Sequence, residues 1–81
     1  MVMKKELYND EPVPVKAYGK GELAQKYYPD CTESWARRLL NKDILRFPGL
    51  AGELRRRGWK PTDRLLRHDW VRLIFDAIGP P

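Results

Sequence analysis

The stretch that decides the fold is Glu22–Asn41, which reads ELAQKYYPDCTESWARRLLN. It predicts two short helices that meet at a tight corner. Pro29 ends the first helix, because proline cannot donate the next helical hydrogen bond and pushes the residue before it out of the helical region. Thr32 is a suitable N-cap for the second helix, and Glu33 places an acidic charge in its first turn, where the helix dipole favours it. We therefore predict a helix-turn-helix whose second helix spans 32–41.

The second helix has two faces at about 100° per residue. Its apolar face carries Trp35, Ala36, Leu39 and Leu40. Its opposite face carries Ser34, Arg37, Arg38 and Asn41. In helix-turn-helix proteins the second helix lies in the major groove of DNA, where Arg prefers guanine and Asn prefers adenine. We therefore predict that this face reads double-stranded DNA. The alternative is a solvated face with salt bridges to Glu33 or Asp43.

The basic charge is concentrated in the middle of the chain. The net charge is +5, and residues 32–67 alone hold ten Lys or Arg against four Asp or Glu. A localised basic excess favours a polyanionic partner, although a solvated surface is an equally valid interpretation of a charge run alone. If DNA is bound, seven further basic side chains of this region would contact phosphates and set the register of the protein. These are Lys42, Arg46, Arg55, Arg56, Arg57, Lys60 and Arg64. For the run Arg55–Arg57, phosphate contact and plain solvation are equally good interpretations.

The segments on either side of the corner predict further elements. Val13–Tyr18 alternates in polarity and suits a short strand, which Pro14 restricts to a sheet edge. Arg64–Arg67 is a candidate partner strand. A third helix should begin near Phe47, with a proline in its first turn, and should end at Gly58.

The last helix should span His68–Ile78 and end at Gly79. Its apolar residues cover roughly 200° of the helical wheel, which is wider than the stripe of an ordinary surface helix. Either this helix is the central core element, or one flank packs against another protein chain. The second possibility is the alternative function: a protein-interaction adaptor or a homo-oligomer whose interface includes Phe75 and Ile78.

The length of 81 residues allows one domain. Residues 1–12 lack periodicity and are predicted to be a flexible arm, and residues 13–81 are predicted to form a single helix-turn-helix domain. The expected fold is mainly α, with four short helices and one small two-stranded β element.

The composition argues against several other classes of function. One Cys and one His are too few for a disulfide or a transition-metal centre, so we expect no metal and no cofactor. The sequence contains no Gly-rich phosphate loop and no Ser/His/Asp set, so we expect neither an enzyme nor a small-molecule site. No apolar run is long enough to span a membrane and no signal peptide is evident, so a cytoplasmic protein is expected.

The three tryptophans are candidate stacking platforms for single-stranded nucleic acid. Trp35 and Trp70 lie on apolar helix faces and are expected in the core. Trp59 follows the run Arg55–Arg57 in a basic loop and is the tryptophan for which stacking is worth testing.

Two family resemblances follow from these residues. The order of strand, helix-turn-helix, basic linker and helix resembles the winged-helix domains of MerR-type regulators and phage excisionases, through Glu22-Leu23-Ala24 and Arg64-Leu65-Leu66. That resemblance implies DNA binding. It does not extend to a β-hairpin wing, because Phe47–Arg57 occupies the position of the wing.

A closer similarity covers about Lys16 to Pro81. It is carried by Tyr18-Gly19, Glu22-Leu23-Ala24, Tyr28-Pro29, Arg37-Arg38-Leu39, Gly58-Trp59 and Gly79-Pro80. In these motifs the chain resembles an uncharacterised family of short bacterial proteins, a domain of unknown function of the DUF4248 type. The similarity implies a compact helical domain suited to DNA binding, with no reaction or ligand attached.

Overall fold

A computed structural model describes residues 13–81 of the chain. The predicted arm, residues 1–12, lies outside the described residues. The elements in chain order are β1 (Tyr18–Gly19), α1 (Lys20–Tyr27), α2 (Glu33–Arg46), α3 (Pro48–Arg56), β2 (Leu65–Leu66) and α4 (His68–Ile78). The predicted class is confirmed for the described part: it is mainly helical, with four helices and one two-stranded antiparallel sheet.

The sheet is shorter than the sequence predicts. Tyr18 pairs with Leu66 and Gly19 with Leu65. The strand predicted over 13–18 begins only at Tyr18, because the preceding residues do not enter the ladder. The Tyr18 hydroxyl instead donates to the carbonyl of Pro14 at 2.6 Å and folds that segment back on the ring.

The corner between α1 and α2 forms as predicted. Thr32 is the N-cap of α2, and its hydroxyl accepts a hydrogen bond from the amide of Trp35 at 3.2 Å. The start of α1 lies close beneath the start of α2: a Cβ atom placed on Gly21 would lie 2.5 Å from Cγ of Glu33. Glycine at this position therefore leaves room for the side chain of Glu33 at the start of α2.

Helix α2 is longer than the predicted span of 32–41. Ala36, Leu40 and Ile44 are each fully buried, and their spacing of four residues places them on one stripe of the helix. Ile44 lies beyond the predicted end of the helix at Asn41 and continues this stripe. The helix therefore runs on to Arg46, two residues before Pro48.

Two of the three tryptophans lie where the sequence did not predict them. Trp35 is 52% exposed and Trp59 is 2% exposed, so the expectation that Trp35 is a core residue was wrong. The core-facing stripe of α2 is narrow, and Trp35 lies on the opposite, solvent-exposed side of the helix. Trp59 reaches the core because Gly58 adopts a φ of 95°, which turns the chain back so that the Trp59 amide donates to the carbonyl of Leu54 at 3.0 Å.

Helix α4 has the predicted bounds and is a core element. It buries Trp70, Val71, Ile74 and Phe75. Phe75 is 8% exposed and packs edge-on against Tyr27, with ring centroids 6.4 Å apart. The Tyr27 hydroxyl donates to the carbonyl of Gly79 at 2.5 Å and joins the ends of α1 and α4. Of the two residues predicted for a partner interface, Phe75 therefore belongs to the core and Ile78 packs half-buried against it.

Candidate nucleic-acid interface

The outer face of α2 combines basic and apolar side chains. Its solvent-exposed stripe consists of Trp35, Arg38, Lys42, Leu45 and Arg46, and we call this set the outer stripe. These residues are three or four apart, apart from the adjacent pair at the end, so they line one side of the helix. Ser34 is exposed beside them. A shallow open depression of about 550 Å³ lies along the same side, lined by Arg38, Asn41, Lys42, Leu45 and Arg46.

The charges of the outer stripe are only weakly compensated by the described residues. Arg46 lies 3.8 Å from Asp43, and its side chain is 65% exposed. Arg38 and Lys42 form no salt bridge with any residue in 13–81. The guanidinium carbon of Arg38 lies 5.6 Å from the ring centroid of Trp35, which is close enough for a cation–π interaction. These cations therefore remain accessible to an anionic partner as far as residues 13–81 are concerned.

Asn41, which the sequence predicts to read bases, forms two hydrogen bonds within the protein. Its Oδ1 accepts a hydrogen bond from Nζ of Lys20 at 3.0 Å, and its Nδ2 donates to the carbonyl of Pro61 at 3.1 Å. An asparagine that reads adenine uses one acceptor and one donor of this kind. Both are already engaged within the protein, so we leave Asn41 out of the proposed interface.

Arg37 also differs from Arg38 in its surroundings. Its side chain is 34% exposed, and its Nη1 atom lies 3.8 Å from Oε2 of Glu33. This is one of the salt bridges expected if the polar face of α2 is only solvated. It points toward the loop that contains Pro61 and Arg64, where it lines a second pocket together with Lys20. The two neighbouring arginines therefore lie on different surfaces: Arg38 belongs to the outer stripe, and Arg37 lines the second pocket.

Lys20 is a site residue that sequence reasoning missed. It is 3% exposed, and its Nζ donates to Asn41 and to the carbonyl of Pro61 while lying 5.8 Å from the ring centroid of Trp59. Burial lowers the pKa of this ammonium, Asp63 raises it by attraction, and Arg37 lowers it by repulsion. No pattern in the sequence distinguishes Lys20 from an exposed lysine at a helix start.

The run Arg55–Arg57 is partly compensated. Glu53 lies 3.5 Å from Arg56 and 3.2 Å from Arg57, and Arg57 also lies 3.3 Å from Asp69. The guanidinium carbon of Arg55 lies 5.9 Å from the Trp59 ring centroid, which is close enough for a cation–π interaction. These contacts favour the solvated, salt-bridged interpretation of Arg56 and Arg57, and the assignment of Arg55–Arg57 to phosphates stays a prediction.

Lys60 and Arg64 are exposed, as their predicted phosphate contacts would require. The backbone amide of Lys60 donates to Oδ2 of Asp63 at 2.9 Å, which closes a turn. That turn carries Arg64 to the edge of the pocket that Arg37 also lines. The fold therefore brings together Arg37 and Arg64, which are far apart in the sequence.

Residues 13–81 contain no group of three or more His, Cys, Asp or Glu arranged to hold a metal ion. None of the helices described here has the length and apolar character needed to cross a membrane.

These features define a small, mainly helical domain that presents a basic helix beside a two-stranded sheet. The chain belongs to the family described as Domain of unknown function (DUF4248), whose model matches residues 14–81. The predicted membership of that family is therefore confirmed. No match was found among curated proteins or among solved structures. The resemblance to MerR-type and excisionase domains stays a prediction.

Proposed function

We propose that this protein binds double-stranded DNA through the outer stripe of α2. The observation that carries the proposal is the pair Arg38 and Lys42, which are exposed one turn apart and form no salt bridge within residues 13–81. An exposed helix of this kind fits the major groove, which is about 12 Å wide in B-form DNA. The exposure of Glu33, Ser34 and Trp35 supports this, because the first residues of a recognition helix are those that contact base edges.

The side chains divide into two kinds of contact. Arg38 can donate two parallel hydrogen bonds to a guanine edge, and Ser34 can contact any of several bases. Lys42 and Arg46 lie further along α2, where phosphate contacts would fix the register without reading sequence. The exposed indole of Trp35 supplies an apolar surface for a thymine methyl group or a sugar. The proposed reading set is therefore narrower than the one the sequence predicts.

A role in bacterial gene regulation, or as an accessory factor of a mobile element, would use such an interface in the cytoplasm. Both roles require a duplex-binding domain. Measured sequence preference would support the regulatory role, and uniform binding would support an architectural one.

Fluorescence anisotropy with a labelled duplex over a series of salt concentrations tests the proposal. Three or four neutralised phosphates would give a slope of log K against log salt of about −3 to −4. The double variant Arg38→Gln/Lys42→Gln should bind at least about tenfold more weakly, with a slope smaller in magnitude by about one, because only Lys42 of this pair is assigned to a phosphate. The matched control is Lys26→Gln/Arg72→Gln, which removes the same charge from exposed positions on α1 and α4. Equal weakening by both double variants would show that only net charge matters and would refute the role of α2.

One observation supports the alternative function, which is binding of a protein partner through the last helix. An apolar groove with a cavity volume of about 440 Å³ lies between α3 and α4. Its walls include Phe47, Leu50, Leu73 and Ala77. A partner would reach these residues more readily than the buried Phe75. Light scattering in high salt tests the homo-oligomer form of this alternative, and a monomer would remove it.

A further inference from the structure

A polar pocket lies between the start of α1, the middle of α2 and the loop before β2. Its cavity volume is about 250 Å³. It is lined by Lys20, Arg37, Asn41, Pro61, Thr62, Asp63 and Arg64. The backbone amide of Lys20 donates to the carbonyl of Arg64 at 2.7 Å, so the loop is held against α1 at this point.

The floor of the pocket is a buried positive charge. Placing an ammonium group in the interior is costly unless it is hydrogen-bonded. Lys20 has three N–H donors, and two of them are used, by Asn41 and by the carbonyl of Pro61. The third has no hydrogen-bond partner among residues 13–81. The ring of Trp59 shields the ammonium from water on another side.

The walls of the pocket keep its charge positive. Arg37 and Arg64 add two guanidinium groups to the ammonium of Lys20, and Asp63 is the carboxylate in the lining. Asp63 is already bonded to the backbone amide of Lys60. Glu33 approaches Arg37 from outside the pocket at 3.8 Å, and its side chain is 59% exposed. A separated, exposed pair of this kind is weak and leaves Arg37 able to bind another anion.

We propose that this pocket binds a phosphate group. Arg37 and Arg64 hold it from two sides with charge-assisted hydrogen bonds, and the Thr62 hydroxyl can donate a further one. Lys20 supplies a fixed positive charge that needs no reorganisation when the anion arrives. Arg37, which the sequence predicts to read bases, would thus bind phosphate instead.

The phosphate group can come from a nucleic-acid backbone or from free inorganic phosphate. Asn41 lines both this pocket and the depression beside the outer stripe, so the two surfaces adjoin. A backbone phosphate bound here would lie beside the duplex that α2 is proposed to read. The pocket itself does not depend on that proposal, and the two are tested separately.

The test is an NMR titration of the full chain labelled with ¹⁵N. Inorganic phosphate is added at pH 7 and compared with sodium chloride at matched ionic strength. We expect the backbone amides of Thr62, Asp63 and Arg64 to shift with phosphate and to saturate, with a dissociation constant on the order of millimolar. Shifts that increase linearly with phosphate concentration, or that sodium chloride reproduces, would refute the proposed phosphate site.

Three variants sharpen the titration. Arg64→Gln should weaken phosphate binding by about fivefold or more, because it removes a charged donor. Asp63→Asn should tighten binding by roughly threefold, because it removes the opposing charge and keeps an oxygen for the Lys60 amide. Arg72→Gln on α4 removes one charge elsewhere and should leave the dissociation constant unchanged. If Arg64→Gln and Arg72→Gln have the same effect, the phosphate is held by net charge and the pocket is refuted.

A second titration with a short duplex separates the two sources of phosphate and the two proposals. If the duplex shifts amides of both α2 and the 62–64 segment, the phosphate comes from the nucleic-acid backbone. If phosphate saturates the 62–64 segment but the duplex binds no more tightly than phosphate, the pocket stands as a free-phosphate site and the DNA proposal fails. If the duplex shifts only α2 and phosphate shifts nothing, the pocket fails and the DNA proposal stands.

Discussion

Replacing Asn41 with alanine should destabilise the protein by roughly 2–3 kcal/mol. The substitution removes the acceptor of the buried Lys20 ammonium and the donor to the Pro61 carbonyl. A hydrogen bond to a charged group is worth about 1.5–3 kcal/mol, and a neutral one about 0.5–1.5 kcal/mol. Asn41 is only half-buried, so water can replace part of what is lost, and the expected value lies toward the lower part of the combined range.

Urea unfolding followed by circular dichroism at 222 nm measures this loss. With a slope of about 1 kcal/mol per molar urea for a domain of this size, the midpoint should fall by roughly 2–3 M. Arg38→Ala is the control, because Arg38 lies on the same helix but is exposed and should change the free energy of unfolding by less than about 0.5 kcal/mol.

A double-mutant cycle with Lys20→Met isolates the contact between Lys20 and Asn41. The double variant should lose less free energy of unfolding than the sum of the losses in the two single variants, with a coupling energy of at least about 1 kcal/mol. If Asn41→Ala is as stable as the Arg38→Ala control, or if the cycle shows no coupling, the bond is not a significant part of the fold. Asn41 would then be available to read bases, as the sequence predicts.

Two further predictions test the placement of the aromatic residues. Trp59→Ala should cost about 3–5 kcal/mol and Trp35→Ala less than about 0.5 kcal/mol, since one indole is buried and the other is exposed; urea unfolding of each variant checks this, and equal costs would contradict it. Burial, and to a lesser extent the charge of Asp43, raise the pKa of Tyr27 from 10.0 to about 12. The folded state therefore favours the neutral phenol, so its contribution to stability should be complete below pH 10 and should be lost as the pH rises from 10 to about 12. Urea midpoints for the wild type and for Tyr27→Phe should accordingly converge over that interval, and parallel curves would show that the phenol does not titrate differently in the two states.

Most of the secondary structure could be predicted from the sequence because its signals are local. The side chain of Thr32, the proline at the start of α3 and the glycines after α3 and α4 act on the backbone within a few residues of themselves. The bounds of α4 were predicted correctly for this reason. The end of α2 was not, because only the packing of Ile44 showed that the apolar stripe continues.

The candidate sites were less predictable. A helical wheel assigns Arg37, Arg38 and Asn41 to one polar face, and it correctly places Arg38 in solvent. It contains no information about the loop that packs beside that face. Once Pro61 is brought against α2, Asn41 becomes a structural bridge and Arg37 becomes a pocket residue.

The sequence alone determined that the described part of the chain is mainly helical, that it turns a corner after Pro29, that its basic charge is concentrated and that the chain belongs to a recognisable family. Only the tertiary structure decided that Trp59 is buried and Trp35 exposed, and that Lys20 is enclosed beneath the loop. The physical reason is the range of the interactions. Caps, prolines and helical spacing act between near neighbours. The environment of Lys20, in contrast, depends on Asn41 and Pro61, which lie 21 and 41 positions further along the chain.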